Sequence, residues 1–185
     1  MLDPAMLDML IAIARVMLES ARRCIEGGQS VPPTFVVLGE NDVFTLVPPD
    51  FGTPEEKDRA ILAIKEIARR VPNLIGVVSV LDCNTYAVDA KGLAAHLGMP
   101  VDVVHAVIDK LGLPPPQYHQ FVKKQECLLA RAETYVGDWD CMILYSRDGE
   151  QVLWQPPVEG GVTNITGRFV GLLPGLATTQ GQEQS

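Results

Sequence analysis

The order of hydrophobic periodicities predicts an α+β fold: a mixed or antiparallel sheet of about five or six strands with flanking helices and a helical insertion. Three observations carry this. A long apolar stripe with helical spacing opens the chain. Apolar runs of strand length, bounded by Pro, Gly and Asp, occur in both halves. A second helical pattern sits in one block between strands instead of alternating with each of them. The 185 residues suit one domain, expected over 1–177 with the helical insertion at 90–132; residues 178–185, rich in Gln and Thr, are expected to be disordered.

The first helix is expected from Pro4 to Ile25. Met6, Leu10, Ile13, Met17, Ala21 and Cys24 recur every three or four residues, and Leu7, Leu18 and Ile25 widen the stripe. Asp3 can cap it, and Gly27-Gly28 stops it. So wide a stripe needs cover on two sides, from a sheet or from a second copy of the chain. Pro32-Pro33 then leads into a β-hairpin, TFVVLG and VFTLV, turning at the polar Gly39–Asp42.

Thr53-Pro54-Glu55-Glu56 reads as a capping box with proline at the first helical position. Ala60, Ile61, Ile64, Ile67 and Ala68 form the apolar stripe of the helix it opens, and Arg69 and Arg70 suit its negative C-terminal end. LIGVVSVL at 74–81 is continuous enough for a strand covered on both faces, extending through Thr85–Val88. Residues 90–132 read as helical, broken at Pro114-Pro115-Pro116, with a further helix expected over Gln117–Ala132. Strands are expected at Tyr135–Tyr145 and Gln151–Trp154, joined at Asp148-Gly149, and at Val162–Val170.

Composition narrows the function classes. Hydrophobic residues make up 47% and charged residues 21%, a globular balance. A formal net charge of −8 repels phosphate backbones unless basic residues cluster. No stretch approaches the roughly 20 uncharged apolar residues of a membrane span, and the opening MLDPAMLDML has no basic region of a secretory signal. The expected setting is cytoplasmic, without membrane association. Cys24, Cys83, Cys127 and Cys141 contain no CxxC pair and are expected to be reduced and buried.

The stretch KGLAAHLGMPVDVVHAVIDKLG, Lys91 to Gly112, resembles a helix-turn-helix. Ala94 is small where two helices would meet, Gly98 stands where the turn needs a left-handed residue, and Val104 falls where the second helix packs back. The resemblance implies major-groove reading by a second helix over Val101–Leu111, with His105, Lys110, Lys123 and Lys124 as nucleic-acid-binding candidates. Asp102 and Asp109 oppose this, and Arg, Asn and Gln are missing from that helix. Residues 91–131 carry five basic side chains, Arg131 among them, against three acidic ones. Protein-binding modules use the same compact packing. The first half is also similar to uncharacterised bacterial and phage proteins, through PPTFVVLG at 32–39, VFTLVPPDF at 43–51 and EEKDRAI at 55–61; that resemblance implies no known activity.

Catalytic chemistry has few candidates. His96, His105 and His119 make no HxH or HExxH spacing, and no cofactor is expected. Asp138 and Asp140 alternate in a strand and share a face, so with Asp82 they form a candidate magnesium site; the plainer reading is solvated acids at a strand entrance. Trp139 and Trp154 are core anchors or, if exposed together, an interface. The expected function is a non-enzymatic interaction or structural protein, self-associating as a homo-oligomer or holding a protein partner. The alternatives are a nucleic-acid-binding regulator using 91–112 and a metal-dependent hydrolase.

Overall fold

The computed structural model describes residues 4–111, 114–160 and 172–173. The fold is α+β. The chain divides into two compact units: one comprises the chain up to Asp82 and from Leu128 onward, the other is Cys83–Cys127. Expectations for a strand at 162–170 and a disordered tail at 178–185 lie outside the described residues.

In the first unit, helix α1 (Pro4–Glu26) places Leu10, Ala14, Leu18, Ala21 and Ile25 on one buried line, at helical spacing. Met6, Leu7, Ile13 and Met17 flank that line, half-buried against the same core. The sheet thus covers the centre of the stripe fully and its margins in part, and Met9 and Val16 of the same helix are exposed. Each fully buried Leu or Ile contributes about 1.5–3 kcal/mol. The helix ends where Gly28 takes a φ of +72° and the Gln29 N–H donates to the Cys24 carbonyl at 2.8 Å.

Among the described residues the antiparallel sheet has seven strands, the last of them a two-residue addition. They are β1 (Thr34–Gly39), β2 (Val43–Leu46), β3 (Leu74–Val88), β4 (Val122–Thr134), β5 (Asp138–Asp148), β6 (Gln151–Trp154) and β7 (Val158–Glu159). The order is β2-β1-β3-β4-β5-β6, with β7 paired to β5. Alternation then decides the faces. Val36 and Leu38 of β1, Val78 and Val80 of β3, Leu128, Ala130 and Ala132 of β4, and Cys141, Ile143 and Tyr145 of β5 all enter the core that α1 covers. Val36 pairs with Val78 across the β1–β3 ladder, and Leu38 with Gly76.

The intervening residues of β1, Phe35 and Val37, are fully buried on the other face. Helix α2 (Pro54–Arg70) packs on β1 and buries Ala60, Ile61, Ile64 and Ala68. Its start is the capping box read from sequence: the Glu56 N–H donates to Thr53 Oγ1 at 3.2 Å, and Glu56 Oε2 accepts from the Thr53 and Gly52 N–H groups at 2.8 and 2.7 Å. Those backbone donors, the Thr53 N–H first, hold the Glu56 carboxyl below its usual range.

One expected element is wrong. Residues 117–132 do not form a helix: Pro116–Phe121 is a short 3-10 helix, and Val122–Thr134 is β4. Gln, Glu, Leu, Ala and Arg favour helix intrinsically, but the segment is paired between β3 and β5, and sheet packing overrides propensity there. Leu128, Ala130 and Ala132 alternate with Leu129, Arg131 and Glu133, a period of two that helix-forming composition obscured.

In the second unit, α3 (Ala90–Leu97) and α4 (Val101–Leu111) meet at Gly98, whose φ of 65° and ψ of 28° are left-handed. Ala90, Leu93, Ala94 and Val104 are buried between them, and Leu97, Ile108, Tyr118 and Phe121 complete the cluster. The Asp89 side chain caps α3 by accepting from the Gly92 N–H at 2.9 Å, and the Asp89 N–H donates to the Phe121 carbonyl at 2.8 Å.

Gly76 marks the tightest point under α1. A methyl group there would collide with the Leu10 side chain and with the backbone carbonyl of Glu133 on β4. The leucine tip can move and the carbonyl cannot, so Gly76→Ala is expected to cost about 1–3 kcal/mol in urea unfolding. An unchanged unfolding midpoint would show that the helix and β4 do not approach there.

Candidate functional site

The strongest concentration of charge is on the sheet face away from α1. Arg131 stands between Ala130 and Ala132 on β4, so its side chain points opposite to theirs, and only 11% of it is exposed. Its Nε donates to Glu133 Oε1 at 2.7 Å. One terminal nitrogen bonds to Asp138 Oδ2, and the other lies 3.6 Å from Asp140 Oδ2. Glu133 is itself buried, and its second oxygen accepts from the Leu172 N–H at 2.8 Å. Leu172 and Leu173 are buried, so this carboxylate ties the C-terminal part of the chain to the sheet.

Two of the three candidate metal-binding aspartates do share a face. Asp138 and Asp140 alternate with Trp139 and Cys141, which point toward α1, and both acids turn to Arg131. Asp82 does not join them. It continues the even positions of β3 on the α1 side, where the Tyr145 hydroxyl donates to its Oδ1 at 2.8 Å. Among the described residues, no group of three or more His, Cys, Asp or Glu side chains is placed to hold a metal ion. The Arg131 guanidinium contacts both Asp138 and Asp140.

Trp139 and Trp154 are not a shared exposed platform. Both are half-buried against the α1 core. The Arg15 guanidinium lies over the Trp139 ring, 5.6 Å from its centroid, and the Arg22 guanidinium over Trp154 at 4.9 Å. Trp154 Nε1 donates to Glu26 Oε1 at 2.8 Å, and its ring packs on Tyr145 with centroids 5.0 Å apart. The seven-residue spacing of Arg15 and Arg22, two helical turns, puts both cations on the α1 flank that meets β5 and β6. These contacts dock the helix.

The nucleic-acid candidates disperse. Lys123 and Lys124 lie on β4, not on a helix, and adjacent strand residues point to opposite faces. Both are exposed, as are His105 and Lys110 on α4. Arg131, counted among the basic residues of this region, is committed to three carboxylates. Beside these polar groups, apolar side chains are exposed: Met99, just before α4, is 51% exposed, Val103 43% and Val107 49%. Val103 and Val107, four residues apart, lie along one face of α4, and the exposed Ala106 falls between them in sequence.

Sequence reading missed the Arg131–Glu133 pair and the approach of Cys83 to Cys127, whose sulfurs are 3.3 Å apart. The signal for the first was an Arg-x-Glu alternating with two alanines, legible only once 122–134 is taken as a strand. The second had no local signal, since 44 residues separate the cysteines. Burial, reinforced by the nearby Glu159 carboxylate, pushes the Cys141 thiol up to about 11.

Arg131→Met leaves Glu133 and Asp140 buried without their cation. It is expected to cost about 3–5 kcal/mol in chemical denaturation; a loss under about 1 kcal/mol would mean that the carboxylates are effectively solvated. Because the Cys141 thiol stays protonated below pH about 11, its alkylation by iodoacetamide in the native protein at pH 8 is expected to lag an ordinary cysteine by at least about 100-fold. Peptide mapping that finds Cys141 modified at the ordinary rate would contradict this. No protein-family model, no curated protein and no solved structure matches this chain.

Proposed function

We propose that this chain is a non-enzymatic interaction protein that self-associates through the exposed face of α4. The observation that carries this reading is the exposure of Val103 and Val107 on one face of α4, with exposed Met99 just before the helix, on an otherwise well-packed pair of helices. Large apolar side chains aligned on an exposed helix face are characteristic of surfaces that another protein covers. The face lacks the positive charge that contact with a phosphate backbone requires. Beyond it, the most concentrated charge in the first unit is consumed by internal pairing at Arg131.

A second copy fits the face better than an arbitrary partner, on grounds of charge. Asp102 lies four residues before Ala106 and Lys110 four residues after it, and all three are exposed. Two α4 helices packed antiparallel about Ala106 bring each Asp102 opposite the other chain's Lys110. The small side chain at the centre lets the helices approach, and the valines meet around it. One helix pair buries less than the roughly 1,200 Å² of stable complexes, which places such a dimer in the weak, concentration-dependent range.

Sedimentation equilibrium over a wide concentration range tests this. A monomer–dimer equilibrium is expected, abolished by Val103→Asp and weakened by Asp102→Lys. The double variant Asp102→Lys with Lys110→Asp is expected to restore it, because the reversed charges face each other again. A strict monomer at the highest attainable concentration sinks the reading, as does failure of the double variant to recover association. Duplex binding that falls steeply with salt and is lost on removal of Lys123 and Lys124 would favour the nucleic-acid alternative.

A further inference from the structure

We infer that Cys83 and Cys127 are a redox modification site that closes the helical unit with a reversible disulfide. They are the first and last residues of that unit, on strands β3 and β4, which are neighbours in the sheet. Their sulfurs stand 3.3 Å apart. A disulfide has a sulfur separation of about 2.05 Å, so roughly 1.3 Å of approach forms the bond. The other two cysteines lie on α1 and β5, in the first unit.

Exposure orders the chemistry. Cys127 is 2% exposed, whereas Cys83 is half-buried. A small disulfide of the glutathione class therefore meets Cys83 first. Cys83 releases its proton to solvent, and its thiolate attacks one sulfur of the reagent. The reagent's S–S bond breaks, one small thiolate leaves, and a mixed disulfide remains on Cys83. Cys127 then loses its proton, attacks the Cys83 sulfur and expels the second small thiolate. The two protein thiols give up two protons and two electrons, and the reagent takes them as two thiols. A dithiol reductant reverses both steps.

The bond spans 44 positions of sequence, so it restricts the unfolded chain substantially and stabilises the unit without adding a contact to it. Its location also gives it a specific effect. It joins the two points at which the chain enters and leaves the helical unit, so that unit can no longer open at its own ends. This inference does not depend on the α4 reading, since neither cysteine is on α4.

The test equilibrates the full chain with oxidised and reduced glutathione at graded ratios, quenches by alkylation and reads intact mass, peptide map and thermal midpoint. The four thiols are expected to fall to two, with a loss of about 2 Da, a linked Cys83–Cys127 peptide and an upward shift of the midpoint. Cys127→Ser is expected to stop at a glutathione adduct on Cys83, and Cys83→Ser to form no disulfide. The double variant Cys24→Ser with Cys141→Ser, which leaves the pair intact, is expected to oxidise like the wild type. Persistence of four thiols at the most oxidising ratio would overturn the inference. So would a linked peptide containing Cys24 or Cys141, or an oxidised protein with a lowered midpoint.

Discussion

Seating α1 on one face of the antiparallel sheet is the constraint from which the rest of the first unit follows. The helix offers a line of Leu10, Ala14, Leu18, Ala21 and Ile25, and four successive strands in the sheet answer with alternate residues. Because strand side chains have a strict period of two, this one choice of face assigns every other residue of β1, β3, β4 and β5 to the opposite side. Gly76 lets the seat be close: its missing methyl is where Leu10 and the Glu133 carbonyl come together. Arg15 and Arg22 lock the helix laterally by covering Trp139 and Trp154.

The opposite face is consequently divided. Over β1 it is apolar and covered by α2, with Phe35 and Val37 fully buried. Over β4 and β5 the same alternation turns Arg131, Glu133, Asp138 and Asp140 toward one another. One guanidinium shared among three carboxylates in a half-buried site reduces the desolvation cost that each charge would bear alone. The counter-charge to Asp138 and Asp140 comes from the neighbouring strand, while Asp82, the third acid of the candidate metal site, lies on the other face. The same pairing removes Arg131 from any basic surface.

In the helical unit, the residues that pack and the residues that are exposed are different sets. Leu93, Ala94, Val104 and their neighbours fill the space between α3 and α4, and Gly98 turns the chain at little conformational cost. The face left outward is valine- and methionine-rich, with one acid and one base at symmetric distances from Ala106. Residues that match a helix-turn-helix pattern are those any tight helix pair requires, so the pattern speaks to packing. The exposed side chains speak to what the pair can contact.

Local chemistry made several elements legible before any tertiary contact was known. The Thr53–Glu56 capping box, the stripe of α1, the hairpin that turns at Gly39–Asp42 and the glycine turns at Gly98 and Gly149 each rest on interactions within a few residues. The sequence by itself determined these because backbone hydrogen bonding and side-chain period are short-range properties. It could not determine that 122–134 is a strand, since Gln, Glu, Leu and Ala favour helix until β3 and β5 flank them. Nor could it show that Arg131 pairs with Asp138 and Asp140, that α1 covers both tryptophans, or that Cys83 meets Cys127 across 44 residues. Those outcomes were decided by the tertiary structure alone: which partner a side chain meets depends on the face that its strand turns to the core, and that face is set by the packing of distant segments.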